Sequence, residues 1–336
     1  MADVTPLTRA LLNSSEDPSL IVDRGRVVAI NRAAEAVWPG AEGNDVRFAI
    51  RHPDALELIL GPADAAAGQR ELVGLDGTDR PWRVVVAPLS GTLKLVRLAD
   101  MSATRSAERM RTDFVANASH ELRTPLATVI GYAETLAEDG ELDAALRQRF
   151  GTTIRGEAGR MLKLIEELMA LSRIEADRYR APSERVDLGA IVAVAIGDCS
   201  ELTRERRAVV SFDWPEPPLI VSGDERQLEI VVTNLVTNAL RYGCDRDGCP
   251  ILVSLRTDRG RAVLEVRDEG DGIDPLHLPR LTERFYRVDA ARSRDSGGTG
   301  LGLAIVKHIV ERHRGSLEIR SAAGAGTQAI VTLPLA

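Results

Sequence analysis

Asn234 and Asn238 stand four residues apart, which puts them on one face of any helix that contains them. Amide oxygens are good Mg²⁺ ligands beside phosphate oxygens and water. Further on, Asp268-Glu269-Gly270-Asp271-Gly272 follows a strand pattern. It sets carboxylates on a turn whose glycines let the backbone approach a ligand closely. A third element, Gly297-Gly298-Thr299-Gly300-Leu301-Gly302, opens a helical pattern. Backbone N–H groups and the helix dipole could hold an anion there. It lacks the Lys-Ser/Thr of the common phosphate loop and the distant acid of the dinucleotide fingerprint. Each element alone also reads as a cap, a turn or a hinge. In this order and spacing they point together to a bound nucleotide.

A separate stretch holds a candidate nucleophile. Of the five histidines, His52, His120, His277, His308 and His313, only His120 sits inside a long helical pattern beside an acid, Glu121. A neutral imidazole nitrogen is a competent nucleophile near pH 7, and its tautomer is set by what the other nitrogen contacts. Glu121 is positioned to accept that second hydrogen bond. An isolated His-Glu pair on a helix is usually a surface ion pair, so the pair gains weight only from its surroundings. Thr124 follows one turn later. Its hydroxyl can bond back to a helix carbonyl, with Pro125 bending the helix beside it.

Three units must position these residues. Residues 1–101 read as a small α/β unit: a hairpin through Leu20 to Ile30, Asn31 as the cap of an Ala-rich helix from Arg32 to Val37, then strands at Glu71–Leu75, Trp82–Ala87 and Thr92–Leu98. Residues 102–180 are helical, broken near Glu138-Asp139-Gly140. The second helix carries Ile154, Ala158, Met161, Ile165, Leu168 and Ser172 at coiled-coil spacing, widened by Phe150, Leu162 and Met169. A thin hairpin cannot bury that stripe alone, and two copies packed as a four-helix bundle could. The other reading is a helix lying on a neighbouring domain. Residues 181–336 alternate helices (188–206, 225–242, 301–313) with strands (251–256, 262–267, 316–320, 328–333), as expected for helices on one face of a mixed sheet. The fold class is therefore α+β and multidomain.

Composition narrows the field. The 336 residues are 44% hydrophobic and 28% charged, the balance of a soluble globular protein. With aromatics at 4%, the cores must rest on Ala, Leu, Val and Ile. A net charge of −7 argues against a nucleic-acid binder. Apolar runs such as Ala190 to Ile196 fall far short of the ~20 residues a membrane span needs. No charged n-region followed by an apolar h-region opens the sequence, so a secretory signal is not expected. Cys199, Cys244 and Cys249 cannot all pair and form no disulfide framework; the last two read as loop residues. A cytoplasmic, reduced protein is expected.

The motifs resemble those of two-component sensor histidine kinases. Phe114 to Leu126, with Ser119-His120-Glu121-Leu122-Arg123-Thr124-Pro125 at its centre, is similar to that family's H box. Asn234 to Tyr242 resembles its N box, with Arg241 where Lys is commoner. Asp268 to Gly272 resembles the first glycine box, Glu283-Arg284-Phe285-Tyr286-Arg287 the F box, and Gly298 to Gly302 the second glycine box. The resemblance implies a gyrase/Hsp90-like ATP-binding domain in which Asn238 binds Mg²⁺ and Asp268 meets the adenine amino group. Asn234, Arg241, Tyr242 and Arg287 would act around the nucleotide, cradled by Gly270, Gly272, Gly298, Thr299, Gly300, Leu301 and Gly302, under a lid spanning 276–298. It also implies that His120 is the phosphoacceptor, that Thr124 orients water to hydrolyse a partner's phospho-aspartate, and that the hairpin forms a homodimer.

The N-terminal unit resembles, more weakly, a PAS sensor domain, through Asn31 and the exit tripeptide Asp100-Met101-Ser102. No cysteine precedes Cys199, which excludes a flavin-cysteine adduct in that unit, and His52 beside Pro53 reads as a loop residue before a haem ligand. Within the family the H box looks most like the PhoR-type phosphate-regulon kinases, which usually carry a membrane anchor. With none in this chain, a membrane-bound partner or a cytoplasmic cue is expected. The acceptor aspartate should lie on a separate response regulator. Two other readings use the same motifs: a phosphatase-biased or scaffold homologue, and a conformational ATPase of the same fold.

Overall fold

The computed structural model describes residues 5–62, 67–138, 143–177, 180–214, 217–244, 246–288 and 298–336. The chain divides into two units, Met1–Asp113 and Phe114–Ala336.

The first unit is built on an antiparallel sheet of β1 (Ser19–Asp23), β2 (Arg26–Ile30), β3 (Gly68–Val73), β4 (Pro81–Ser90) and β5 (Leu93–Asp100), in the order β2-β1-β5-β4-β3. Among the described residues four helices attend it: α1 (Pro6–Asn13), α2 (Arg32–Val37), α3 (Val46–Ala49) and α4 (Pro53–Leu60). Alternate residues of the central strands, Trp82, Val84 and Val86 on β4 and Val96 and Leu98 on β5, face one core with Ile50, Ala55 and Ile59. Asn31 caps α2 as expected, its Oδ1 accepting from the amides of Ala34 and Ser19 at 2.9 and 3.0 Å. Its Nδ2 donates to the carbonyls of Ser15 and Asp17, so this buried amide is satisfied on both sides. His52 caps α4, its Nδ1 accepting from the amide of Asp54. Asp100 caps the next helix through the amide of Ser102 at 2.7 Å.

The second unit begins within α5 (Ser102–Glu138), a helix of 37 residues with Pro125 inside it. The hairpin is completed by α6 (Ala144–Ala176), capped by Asp143. Most of the expected break, at 139–142, lies outside the described residues. Tyr132 and Phe150 pack across the hairpin with ring centroids 4.8 Å apart. The stripe that α6 buries is Leu164, Leu171 and Ile174, all in the core of this unit. Leu162, Ile165 and Met169 of the expected seam are exposed, as are Val115, Leu126 and Ile130 of α5.

The rest of the unit is a mixed sheet ordered β11-β12-β10-β9-β7. Its strands are β7 (Val209–Asp213), β9 (Pro250–Asp258), β10 (Arg261–Asp268), β11 (Ser316–Ser321) and β12 (Thr327–Pro334); β7 and β9 pair in parallel and the other pairs are antiparallel. A small second pair joins β6 (Arg185–Asp187) to β8 (Ile220–Ser222). Ile251, Val253, Leu255, Leu264, Val266 and Val331 face the apolar sides of α7 (Leu188–Asp198), α9 (Glu225–Tyr242) and α10 (Gly302–Arg312). The expected helix over 188–206 is two helices: at Cys199 ψ rises to 1°, and α8 (Ser200–Glu205) starts afresh. Cys199 is free and buried. Cys244 and Cys249, read from the sequence as unpaired loop residues, are joined by a disulfide. The α9–β9 connection doubles back and brings their Cα atoms to 5.6 Å, a normal spacing for such a bond.

Candidate functional site

The helix α9 buries Leu228, Val231, Val232, Leu235, Val236, Ala239 and Leu240, the i, i+3, i+4 pattern of a core-facing stripe. That stripe turns Asn234, Asn238 and Arg241 to the neighbouring face. There they line a cavity of about 270 Å³ with Tyr242, Asp268, Asp271, Gly272, Tyr286 and Arg287. Gly298, Thr299, Gly300 and Gly302 complete it. The three motifs that the sequence spreads over some seventy residues thus meet around one space.

Asp268 ends β10 and is 8% exposed. Its Oδ1 accepts from the amides of Gly270 (3.0 Å) and Thr327 (3.1 Å), which leaves Oδ2 free of both. Burial pushes this carboxyl above the ordinary aspartate range, against the pull of those two amides. Asn234 donates from Nδ2 to the carbonyl of Ile230 at 2.8 Å, so its Oδ1 is turned the other way. A Cβ on Gly302 would stand 2.6 Å from that oxygen, so α10 starts directly against Asn234. Among the described residues no side chain caps the first turn of α10. Its first N–H groups therefore lie at the cavity with the positive end of the helix dipole.

Two glycines are fixed by backbone geometry. Gly272 has φ +67°, and a Cβ there would meet the carbonyl of Ala322 at 1.9 Å. Gly300 has φ +75°, and a Cβ would fall 2.8 Å from the backbone of Phe285. Phe285 itself has φ +63°, and its amide donates to the carbonyl of Gly300. The F-box turn and the second glycine box thus hold each other through main chain.

Two expected residues stand elsewhere. Gly270 packs against Gly243, and the Leu301 side chain is fully buried in the core. Gly297 and 289–296, in the expected lid, lie outside the described residues.

His120, Glu121 and Thr124 are on α5, with His120 and Thr124 exposed. The Thr124 hydroxyl points back to the carbonyl of His120 at 3.4 Å. Glu121 reaches the cavity wall: its Oε2 is 3.5 Å from Nη1 of Arg287. Arg287 also donates to the carbonyl of Gly298, while its Nε is buried with no partner among the described residues. The F-box turn is anchored to α5 by Phe114 and Phe285, whose ring centroids are 5.9 Å apart.

Sequence reasoning missed the hairpin's share of the cavity wall. Lys163 and Glu167, one turn apart on α6, both line it. The Thr299 hydroxyl donates to Glu167. The only sequence signal was a Lys–Glu pair at i, i+4, which ordinarily marks a solvated helix face.

The donor set suits a nucleotide with a hard cation. Among the described residues no cluster of three or more His, Cys, Asp or Glu side chains could hold a metal alone. Any Mg²⁺ here would rest on the Asn238 amide, whose oxygen has no protein partner among the described residues, together with phosphate oxygens and water. No described helix is long and apolar enough to cross a membrane.

Comparison with known proteins fits this geometry. Residues 110–177 match the His Kinase A (phospho-acceptor) domain, and residues 223–336 match the histidine kinase-, DNA gyrase B- and HSP90-like ATPases. The phosphate regulon sensor protein PhoR of Pseudomonas aeruginosa is 43% identical over 235 residues, 70% of this chain. The chain spans about half, 52%, of that relative's length. The sensor-like histidine kinase SenX3 of Mycolicibacterium smegmatis is 30% identical over 334 residues, 99% of this chain and 84% of that one. The crystal structure of histidine kinase ThkA in complex with response regulator protein TrrA shares the fold: its TM-score is 0.53, with 16% identity, over 97% of this chain and 98% of that chain.

Proposed function

Because the chain belongs to the sensor histidine kinase family, we propose that it phosphorylates His120 from Mg-ATP and passes the phosphoryl group to an aspartate of a response regulator. The observation that carries this reading is the meeting of Asn234, Asn238, Asp268 and Gly298–Gly302 around one cavity, one of whose walls, Arg287, pairs with the neighbour of His120.

In this reading Asp268 accepts from the adenine amino group through its free oxygen. Arg241 and Arg287 face the phosphates, with the amides at the start of α10, and Asn234 and Tyr242 border them. Asn238 would hold Mg²⁺, and the ion would supply neutralisation of the charge that builds on the phosphate oxygens during transfer. One nitrogen of His120 attacks the γ-phosphorus in line. An N–P bond forms, the bond from phosphorus to the β–γ bridging oxygen breaks, and ADP leaves with that electron pair. Glu121 accepts a hydrogen bond from the other ring nitrogen and stabilises the cation that forms.

The same reading divides the chain into a PAS-like sensor unit (1–101), a phosphoacceptor hairpin that dimerises (102–180) and an ATP-binding domain (181–336). The antiparallel order β2-β1-β5-β4-β3 supports the first. The exposed apolar face of α6 supports a second copy of the chain as its cover. Thr124, exposed one turn beyond His120, supports a response-regulator phosphatase activity. The PhoR likeness supports a role in phosphate signalling. The same reading puts the chain in the cytoplasm, with a membrane-bound partner or a cytoplasmic cue as the signal source.

The test is incubation with Mg²⁺ and γ-labelled ATP beside His120→Ala. Acid-labile, alkali-stable label that the variant lacks is expected. Nucleotide binding without label favours the phosphatase or scaffold reading, and steady ATP turnover that survives His120→Ala favours a conformational ATPase.

A further inference from the structure

Two groups on the cavity wall, and one beside it in the F box, are engaged by carboxylates of the hairpin. Thr299, in the second glycine box, donates to Glu167 of α6. Arg287, on the cavity wall, faces Glu121 of α5. Arg284, its neighbour in the F box, is bonded to Glu175 of α6.

Glu167 is the most telling of the three. It lines the nucleotide cavity, and its side chain is only 16% exposed. Its Oε1 is 3.8 Å from Nζ of Lys163, and Arg241 acts on it from across the cavity. A carboxylate flanked by two cations and a hydroxyl at a glycine-rich helix entry occupies the environment a phosphate would seek. Burial pushes Glu167 above the ordinary glutamate range, against the pull of Thr299, Lys163 and Arg241. Its helix position is no accident of a solvated face. Glu167 and Glu175 project from the side of α6 that buries Leu164, Leu171 and Ile174.

We infer that Glu167 is a built-in competitor for the nucleotide's phosphates: docked on Thr299 it holds the hairpin against an ATP site that is closed to the triphosphate, and Mg-ATP must displace it. The inference rests on the nucleotide reading of this cavity and adds its regulation. Displacement frees the Thr299 hydroxyl, Lys163 and Arg241 for the ligand and releases α6. By linkage, whatever pulls the hairpin away raises nucleotide affinity by the same factor that nucleotide raises hairpin release.

The experiment compares wild type with Glu167→Gln in the full chain. Dissociation constants are measured by calorimetry with Mg²⁺ for the non-hydrolysable β,γ-imido analogue of ATP and for adenosine. Glu167→Gln keeps the size and loses the charge. It should bind the triphosphate about fivefold or more tightly, with adenosine affinity unchanged. Equal triphosphate affinity in the two proteins overturns the inference and leaves the nucleotide reading intact. An equal gain for adenosine also overturns it, since the hairpin would then be a steric cover and not a phosphate competitor. No binding of the triphosphate by either protein overturns the nucleotide reading, and the inference with it. Wild type alone gives a second readout. Saturation with the analogue should speed amide hydrogen exchange over residues 163–171, and unchanged protection there overturns the inference even if the variant fails to fold.

Discussion

The Nε2 atom of His313 accepts a hydrogen bond from the backbone amide of Asp224 at 3.0 Å. Its Nδ1 lies 2.7 Å from the carbonyl of Ile309, so the neutral ring with hydrogen on Nδ1 satisfies both contacts. One imidazole, 2% exposed, therefore ties the last turn of α10 to the cap of α9.

This contact makes stability depend on pH. Burial holds His313 below the ordinary histidine pKa of 6.5. Protonation would also set an N–H against the Asp224 amide. The unfolded chain takes up the proton first, so this contribution is fully present above about pH 6.5. It is lost as pH falls through the lower folded value, at no more than about 1.4 kcal/mol per pH unit. The Ile309 carbonyl and Asp224 favour the charge, Arg312 opposes it, and burial prevails. Urea midpoints of wild type should fall more between pH 7.5 and 5.5 than those of His313→Gln; parallel declines would sink the assignment.

Removing the Asn238 amide should act through the metal. Asn238→Ala is expected to weaken binding of the Mg-triphosphate analogue by at least about tenfold. With EDTA in place of Mg²⁺, variant and wild type should bind alike. A loss of the same size in EDTA would assign Asn238 to the nucleotide itself.

Gly300→Ala tests the lock between the glycine box and the F-box turn. The substituted residue would keep φ near +75° with its Cβ against the Phe285 backbone. That strain should cost about 1–3 kcal/mol. In a unit of this size the melting temperature should drop by roughly 2–10 °C. An unchanged melting temperature would mean that the turn opens freely.

Much of this site could be read from residue order. The face of α9 that carries Asn234 and Asn238 follows from apolar spacing alone, and its bounds match those read from the sequence. The acids after β10 and the glycines before α10 declare themselves because turns need glycine where the backbone makes its closest approaches. The short strands β6, β7 and β8 gave no such signal. Three to five residues are too few for alternation to stand out. Lys163 and Glu167 were hidden for another reason. A polar pair on a helix looks alike whether it faces water or another domain's cavity, and only tertiary packing decides which. The Cys244–Cys249 bond was hidden in the same way, since it depends on how the α9–β9 connection turns back.

The helix α6 presents Leu164, Leu171 and Ile174 on one side, and Leu162, Ile165 and Met169 on nearly the opposite side. It works like an axle with two cams. A single rigid rod of 33 residues carries the contact with the ATP-binding layer and the bare strip open to a second copy, so neither can be turned without turning the other. A twist arriving from either side is felt at once on both, with no hinge or loop needed between them.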